Sequence, residues 1–329
     1  MARNHCLSFC LATVDATNAI QNYSFSIGDN ISEGDMLILD LLCLCHRNEP
    51  NKIIPNIKKT NVTLWTATQN YVYSLLGIGN IISCTGFDSS KPVVILLDGW
   101  KSNDNFSFAE KSLIKAFRCR VDIIENSYFS QIDYTWLALN VEKYGEDVAY
   151  GLEILSKLVP LENIQLLGFS LGAHIAGATA RAFTRLTGKK LKTIHGLDPA
   201  NPCFYNRPFR GLRQGDADFV NIIHTNPGYY GVFEPVGDSD FYPDGLQSLK
   251  TGCTNNKCSH LRAVEYFAES VYFGSERNFL GKRCATPNGL ECTKDEVPMG
   301  FKAPSNVIGI FYLEVNGEKP YGKNATKHS

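Results

Sequence analysis

The sequence predicts an α/β fold, with a mostly parallel central sheet covered by helices on both faces. Three observations carry that expectation. Short apolar runs of strand length alternate with stretches of helical periodicity over most of the chain. Strand candidates such as Pro92-Val-Val-Ile-Leu-Leu97 are continuously apolar, as strands buried on both faces are. And Ile164 to Leu167 runs through Gly168-Phe-Ser-Leu-Gly172 straight into a helical stretch, a strand, sharp turn and helix in succession.

Taken in order, residues 1–60 are mixed and poorly periodic, and read as a leader or N-terminal extension open to cleavage, followed by one α/β domain over 61–329. Val62 to Thr66 alternates as a strand. Pro92 to Leu97 is the next, running into Asp98-Gly-Trp100, and Arg120 to Ile124 follows. Apolar residues at Leu137, Val141, Tyr144, Val148, Leu152 and Leu155 repeat every three or four positions, which predicts a long helix from about Thr135 to Leu158, stopped by Pro160. After the turn at Ser170, Leu171 to Leu186 reads as a helix. Leu191 to Leu197 and Phe219 to His224 read as strands, Ser259 to Phe273 as a helix and Val307 to Val315 as a last strand.

Composition excludes several classes. Apolar residues make up 44% and charged residues 20% of the 329, with a net charge of -1, so no broad basic field argues for nucleic acid. No apolar run reaches the roughly 20 residues that span a bilayer. Of the 11 cysteines, Cys253 with Cys258 and Cys284 with Cys292 form two close pairs in loop-like sequence, which suits disulfides in an oxidising compartment. A zinc site is the weaker reading, because the spacing within each pair is longer than a tight knuckle. The pairing of Cys84 with Cys119 and the partner of Cys203 stay open. Sequons at Asn22, Asn30, Asn61, Asn105 and Asn324 are compatible with a secreted glycoprotein. The expected location is extracellular, although neither Cys6 to Val14 nor Met36 to Cys45 makes a clean signal core.

Gly168 and Gly172 permit an abrupt turn that leaves the Ser170 hydroxyl proud of the sheet, the geometry of a nucleophile elbow. A serine needs a base to attack at neutral pH, and the base needs a third group to fix its tautomer. In α/β-hydrolase folds these follow in the order Ser, acid, His. Asp198, directly after a strand, fits as the acid. Among the histidines, His195 and His224 lie inside strands and His174 is held locally on the helix after Ser170. His260, in a polar turn before a helix, is the candidate base. Backbone N–H groups of Leu171 and Trp100 are the candidate oxyanion donors.

Gly168-Phe-Ser-Leu-Gly-Ala-His174, Gly196-Leu-Asp-Pro-Ala200, Asp216-Ala-Asp-Phe-Val-Asn-Ile-Ile-His-Thr225, Asp240-Phe-Tyr-Pro-Asp-Gly245 and Cys258-Ser-His-Leu-Arg-Ala-Val-Glu-Tyr-Phe-Ala-Glu-Ser270 occur in one order. With them the chain resembles the animal pancreatic-type lipase family, whose secreted members include triglyceride lipases, phospholipases A1 and catalytically dead insect yolk proteins. The resemblance covers about residue 62 onward and implies an α/β-hydrolase fold. It implies Ser170 as nucleophile, Asp198 as acid, His260 as base, and Trp100 and Leu171 as oxyanion donors. It also implies a lid closed by the Cys253–Cys258 bridge, here only Thr254 to Lys257, and a short loop between His224 and Asp240. Both are features of the phospholipase A1 branch. The family's calcium site beside Asp216 would need further carboxylates where Arg210 and Arg213 stand, so neither metal nor cofactor is expected. The family's C-terminal β-sandwich is expected to be lacking.

Two departures bear on activity: Asp98 replaces the histidine usual before the oxyanion glycine, and Phe169 replaces the histidine usual before the nucleophile. The first reading is a secreted serine ester hydrolase, lipase or phospholipase A1-like, acting on lipid esters at a membrane or lipid interface through an acyl-enzyme. Its rival is a yolk-like lipid-binding or storage protein without turnover.

Overall fold

A strand that is apolar on both faces needs cover on both sides, and the sheet of this protein has it. The computed structural model describes residues 39, 40, 43, 60–66, 69–83, 86–100, 106–117, 120–126, 134–204 and 210–325. Eleven strands among these form one sheet: β1 (Asn61–Trp65), β2 (Asn70–Ser74), β3 (Val93–Leu97), β4 (Asp122–Asn126), β5 (Ile164–Phe169), β6 (Thr193–Leu197), β7 (Phe219–Ile223), β8 (Ser239–Pro243), β9 (Leu280–Cys284), β10 (Glu296–Pro298) and β11 (Gly309–Leu313). Their spatial order is β10-β9-β11-β8-β7-β6-β5-β3-β4-β1-β2. The run from β4 to β11 is parallel throughout, and antiparallel strands flank it at both edges. This is the α/β-hydrolase class of fold.

The described helices are α1 (Phe106–Phe117), α2 (Tyr134–Leu139), α3 (Val141–Leu155), α4 (Leu171–Thr187) and α5 (Asn256–Val271), with a 3₁₀ segment over Leu75–Ser83. Strand side chains alternate between two cores. Val93, Ile95 and Leu97 of β3 join Leu166, Ile194 and the apolar faces of α3 and α4. Val94 and Leu96 join Leu167, Phe169 and the buried faces of α1 and α5.

Register decides where the loops emerge. Leu97 pairs with Gly168, Phe169 with Leu197, and Leu197 with Ile223. The residues after these strands, Asp98, Ser170, Asp198 and His224, therefore leave the sheet at one carboxyl edge, where open α/β sheets place their sites.

Several expectations change in detail. The single helix expected from Thr135 to Leu158 is two helices, divided at Asn140. Asn140 Nδ2 donates to the Trp136 carbonyl (2.7 Å) and shares it with the Asn140 N–H (3.2 Å), which also reaches back to the Leu137 carbonyl (3.1 Å), a tightened turn that ends the first helix. Helix α5 starts at Asn256, so His260 lies inside the helix and not in a turn before it. The Asn255 side chain caps this helix by accepting the Cys258 N–H (2.8 Å). Strands β2, β8, β9 and β10 and helix α1 had no clear signal in the sequence.

Disulfides join Cys253 to Cys258 and Cys284 to Cys292, and Cys203 pairs with Cys43. Cys43 lies in the stretch read as an extension. Leu39 and Cys43 are buried in the core, and Asp40 Oδ1 accepts the Cys203 N–H (2.7 Å). The rest of the 1–60 extension, apart from Thr60, lies outside the described residues, as do Cys84 and Cys119.

Helices α3 and α4 approach closely at Gly145, where a Cβ would lie 2.6 Å from the backbone of Ala178 and Thr179. Gly145→Val should destabilise the fold by about 3 kcal/mol through forced separation of the two helices. Chemical denaturation at constant pH reads this as a lower midpoint.

Candidate active site

Ser170 stands between β5 and α4 with φ 54° and ψ -123°, a conformation that costs a non-glycine residue about 1–3 kcal/mol and that the flanking elements must hold. They hold it tightly. The Ser170 N–H donates to the Leu197 carbonyl (2.9 Å). A side chain at Gly172 would overlap the carbonyl oxygens of Leu97 and Asp98, and one at Gly168 would overlap the backbone of Gly172 and Ala173. Glycine is required at both positions by close approach, and the turn cannot relax. Leu171 opens α4, so its N–H has no carbonyl within the helix to bond.

Asp198 follows β6 with φ 41° and no exposure to water. Its Oδ1 accepts the N–H groups of Thr225 (2.7 Å) and Asn226 (3.0 Å). Its Oδ2 accepts Nδ1–H of His260 at 2.5 Å, a charge-assisted bond that leaves Nε2 as the nitrogen free to take a proton. Thr225 closes the circuit, its hydroxyl donating to the His260 carbonyl (3.4 Å).

The His260 ring lies between two aromatic rings. Phe169, the residue before Ser170, is 4.7 Å away centroid to centroid, and Tyr230 stacks on the imidazole at 5.2 Å and 24°. The structure thus brings the serine turn, the histidine and the aspartate together at one edge of the sheet. After β3, Gly99 sits against Ser170, and a Cβ there would lie 3.0 Å from the Ser170 Cβ. Asp98 is buried, and its Oδ1 accepts the Gly99 N–H at 2.8 Å, one peptide from the Trp100 amide. Trp100 is half-buried and meets Tyr134 edge to face at 5.7 Å.

The other helix and strand histidines do structural work. His174 Nε2–H donates to the Ala200 carbonyl (2.7 Å) while Nδ1 accepts the Leu212 N–H (3.0 Å), and burial pushes its pKa down to about 4. His195 is likewise pushed to about 4 by burial. Sequence reasoning missed Tyr230 and Lys250. Lys250 is fully buried, its Nζ donates to the Gly245 carbonyl (2.8 Å), and burial lowers its pKa to about 8 against the pull of Asp198 and Asp244. Both lie in irregular segments with no periodicity to read.

The Lipase family profile matches residues 40–321. The chain belongs to the Lipase family. Within that family it is 34% identical over 257 residues to Phospholipase A1 2 of Polistes dominula, a match covering 71% of this chain and 80% of that protein. It is 40% identical over 186 residues to Vitellogenin-3 of Drosophila melanogaster, covering 54% of this chain and 43% of that one. Pancreatic lipase-related protein 2 of Cavia porcellus is 29% identical over 254 residues, covering 72% and 57%. The chain spans less than half the length of the vitellogenins it matches.

At Asp216, beside which the family resemblance implies a calcium site, Oδ2 is taken by Arg181 Nη1 (2.6 Å) and the Arg213 N–H (3.1 Å). This donor set does not suit a calcium ion. Among the described residues no cluster of three or more His, Cys, Asp or Glu is gathered to hold a metal, and no helix is long and apolar enough to cross a membrane.

His174 and His195 set a pH dependence of stability. Their folded pKa of about 4 lies below the ordinary 6.5, so between those values the unfolded chain binds more protons. Their contribution is present above pH 6.5 and lost as the pH falls toward 4. Urea midpoints measured across this window should fall with acidification, and a His195→Gln variant should lose its share of that slope.

Proposed function

We propose that the protein is a secreted serine ester hydrolase acting on lipids at an interface, with Ser170 as nucleophile, His260 as general base and Asp198 as the acid that orients and supports it. The observation that carries this reading is the 2.5 Å bond from His260 Nδ1 to a fully buried Asp198, beside a serine on a strained strand-to-helix turn. In this mechanism His260 Nε2 takes the Ser170 hydroxyl proton as the oxygen attacks the ester carbonyl. The N–H groups of Leu171 and Trp100 receive the developing oxyanion. His260 then passes the proton to the leaving alcohol, giving an acyl-enzyme, and water repeats the sequence to release the fatty acid.

The bridge from Cys253 to Cys258 leaves four residues for a lid, of which Asn256 and Lys257 already belong to α5. So short a cover favours polar-headed lipid esters, in keeping with the phospholipase A1 relatives. The three disulfides among the described residues favour an oxidising, extracellular setting.

A second reading, a yolk-like lipid carrier without turnover, is favoured by the vitellogenin similarity and by Asp98. A buried carboxylate near a developing oxyanion raises the barrier by like-charge repulsion.

Acyl release from phosphatidylcholine and short-chain esters distinguishes the two. Ser170→Ala should lower kcat by about 10³-fold or more. Equal background rates for the two proteins would leave only the carrier. If Asp98 opposes the oxyanion, Asp98→Asn should raise kcat about tenfold, ~1.4 kcal/mol in the barrier, with KM unchanged.

A further inference from the structure

A second histidine–aspartate couple stands one peptide away from the first. His224, the residue before the two amides that hold Asp198, is fully buried, and both its ring nitrogens meet oxygen. Nε2 lies 2.9 Å from Asp240 Oδ1, and Nδ1 lies 3.2 Å from the Val232 carbonyl. A carbonyl oxygen can only accept, so Nδ1 carries a proton. Asp240 Oδ1 also accepts the N–H groups of Val236 (2.9 Å) and Gly237 (3.1 Å), and Oδ2 accepts from Gly237 (3.1 Å), a donor set that suits an ionised carboxylate. Nε2 must then donate as well. The ring stacks flat on Tyr242 at 4.2 Å and 5°, and the Tyr242 hydroxyl donates to the Phe233 carbonyl (3.1 Å).

These bonds converge on the loop over the site. Val232, gripped by His224, donates its N–H to the Pro199 carbonyl (2.8 Å). Gly231 lies so close to the Asp198 carboxyl that a Cβ would fall 2.6 Å from Cγ. Tyr230 stacks on His260. On its other side His224 continues into Thr225 and Asn226, which hold Asp198 Oδ1.

We infer that His224 and Asp240 form a buried imidazolium–carboxylate pair, and that they are positioning residues fixing both the amides that hold Asp198 and the loop that seats Tyr230 on His260. The effect on rate rests on the hydrolase reading above; the protonation and the positioning do not.

The test is ¹⁵N and ¹H NMR of the histidine rings of the whole chain at neutral pH, with His224 assigned by its loss in His224→Gln. Wild type should show protons on both His224 nitrogens; a bare nitrogen there overturns the inference, whether or not Asp240→Asn folds. In Asp240→Asn the His260 Nδ1–H resonance should move, and an unchanged resonance in the folded variant overturns the positioning role. Labelling of Ser170 by a fluorophosphonate should slow about 10- to 100-fold in that variant, the cost of a small misplacement of reacting groups. Equal labelling rates in both proteins also overturn the positioning role. A displaced His260 resonance with no labelling of either protein overturns the hydrolase reading and supports the pair.

Discussion

A carboxylate cut off from water must be answered by donors, and the arrangement around Asp198 is that answer. An uncompensated buried charge costs several kcal/mol. Here two backbone amides from the segment after β7 and one imidazole from α5 supply the donors. The requirement fixes the end of β6 against the end of β7, and it brings the first turns of α5 over the carboxyl edge of the sheet. It also explains why Gly231 has no side chain, since the carboxyl group occupies the space. Remove the carboxylate and the amides, the histidine and the loop lose their common partner.

The serine turn is fixed by different means, through steric exclusion on the backbone of its neighbours. Gly172 packs on the end of β3 and Gly168 on the start of α4, so the strain at Ser170 has no way to spread. Electrostatics enter again at Asp98, whose carboxylate bonds the amide next to the candidate oxyanion donor. One fold therefore holds the proposed base and acid at the same sheet edge as a buried carboxyl group next to the candidate oxyanion donor. Its relatives' names divide along the same line, phospholipase on one side and vitellogenin on the other.

Much of the centre was readable in the chain. Apolar runs at Val93–Leu97, Ile164–Phe169, Thr193–Leu197 and Phe219–Ile223 became neighbouring parallel strands because only burial on both faces suits them. The edges were less so. β2 and β10 carry exposed and half-buried residues, and their pairing is set by what lies alongside rather than by their own pattern. The helix that apolar spacing alone would continue is divided at Asn140, since periodicity does not weigh a side chain that shares a backbone carbonyl and a turn that tightens there.

By itself the sequence determined the fold class, the turn at Ser170 and the chain order of serine, aspartate and histidine. These depend on local pattern and on residue types whose chemistry is intrinsic. Only the tertiary structure decided that Cys203 pairs with Cys43, that Tyr230 and Phe169 enclose His260, and that His224 and Asp240 meet in the interior. Each joins residues through the folded core or across irregular loops, and such contacts depend on strand order and register, which no local pattern in the chain records.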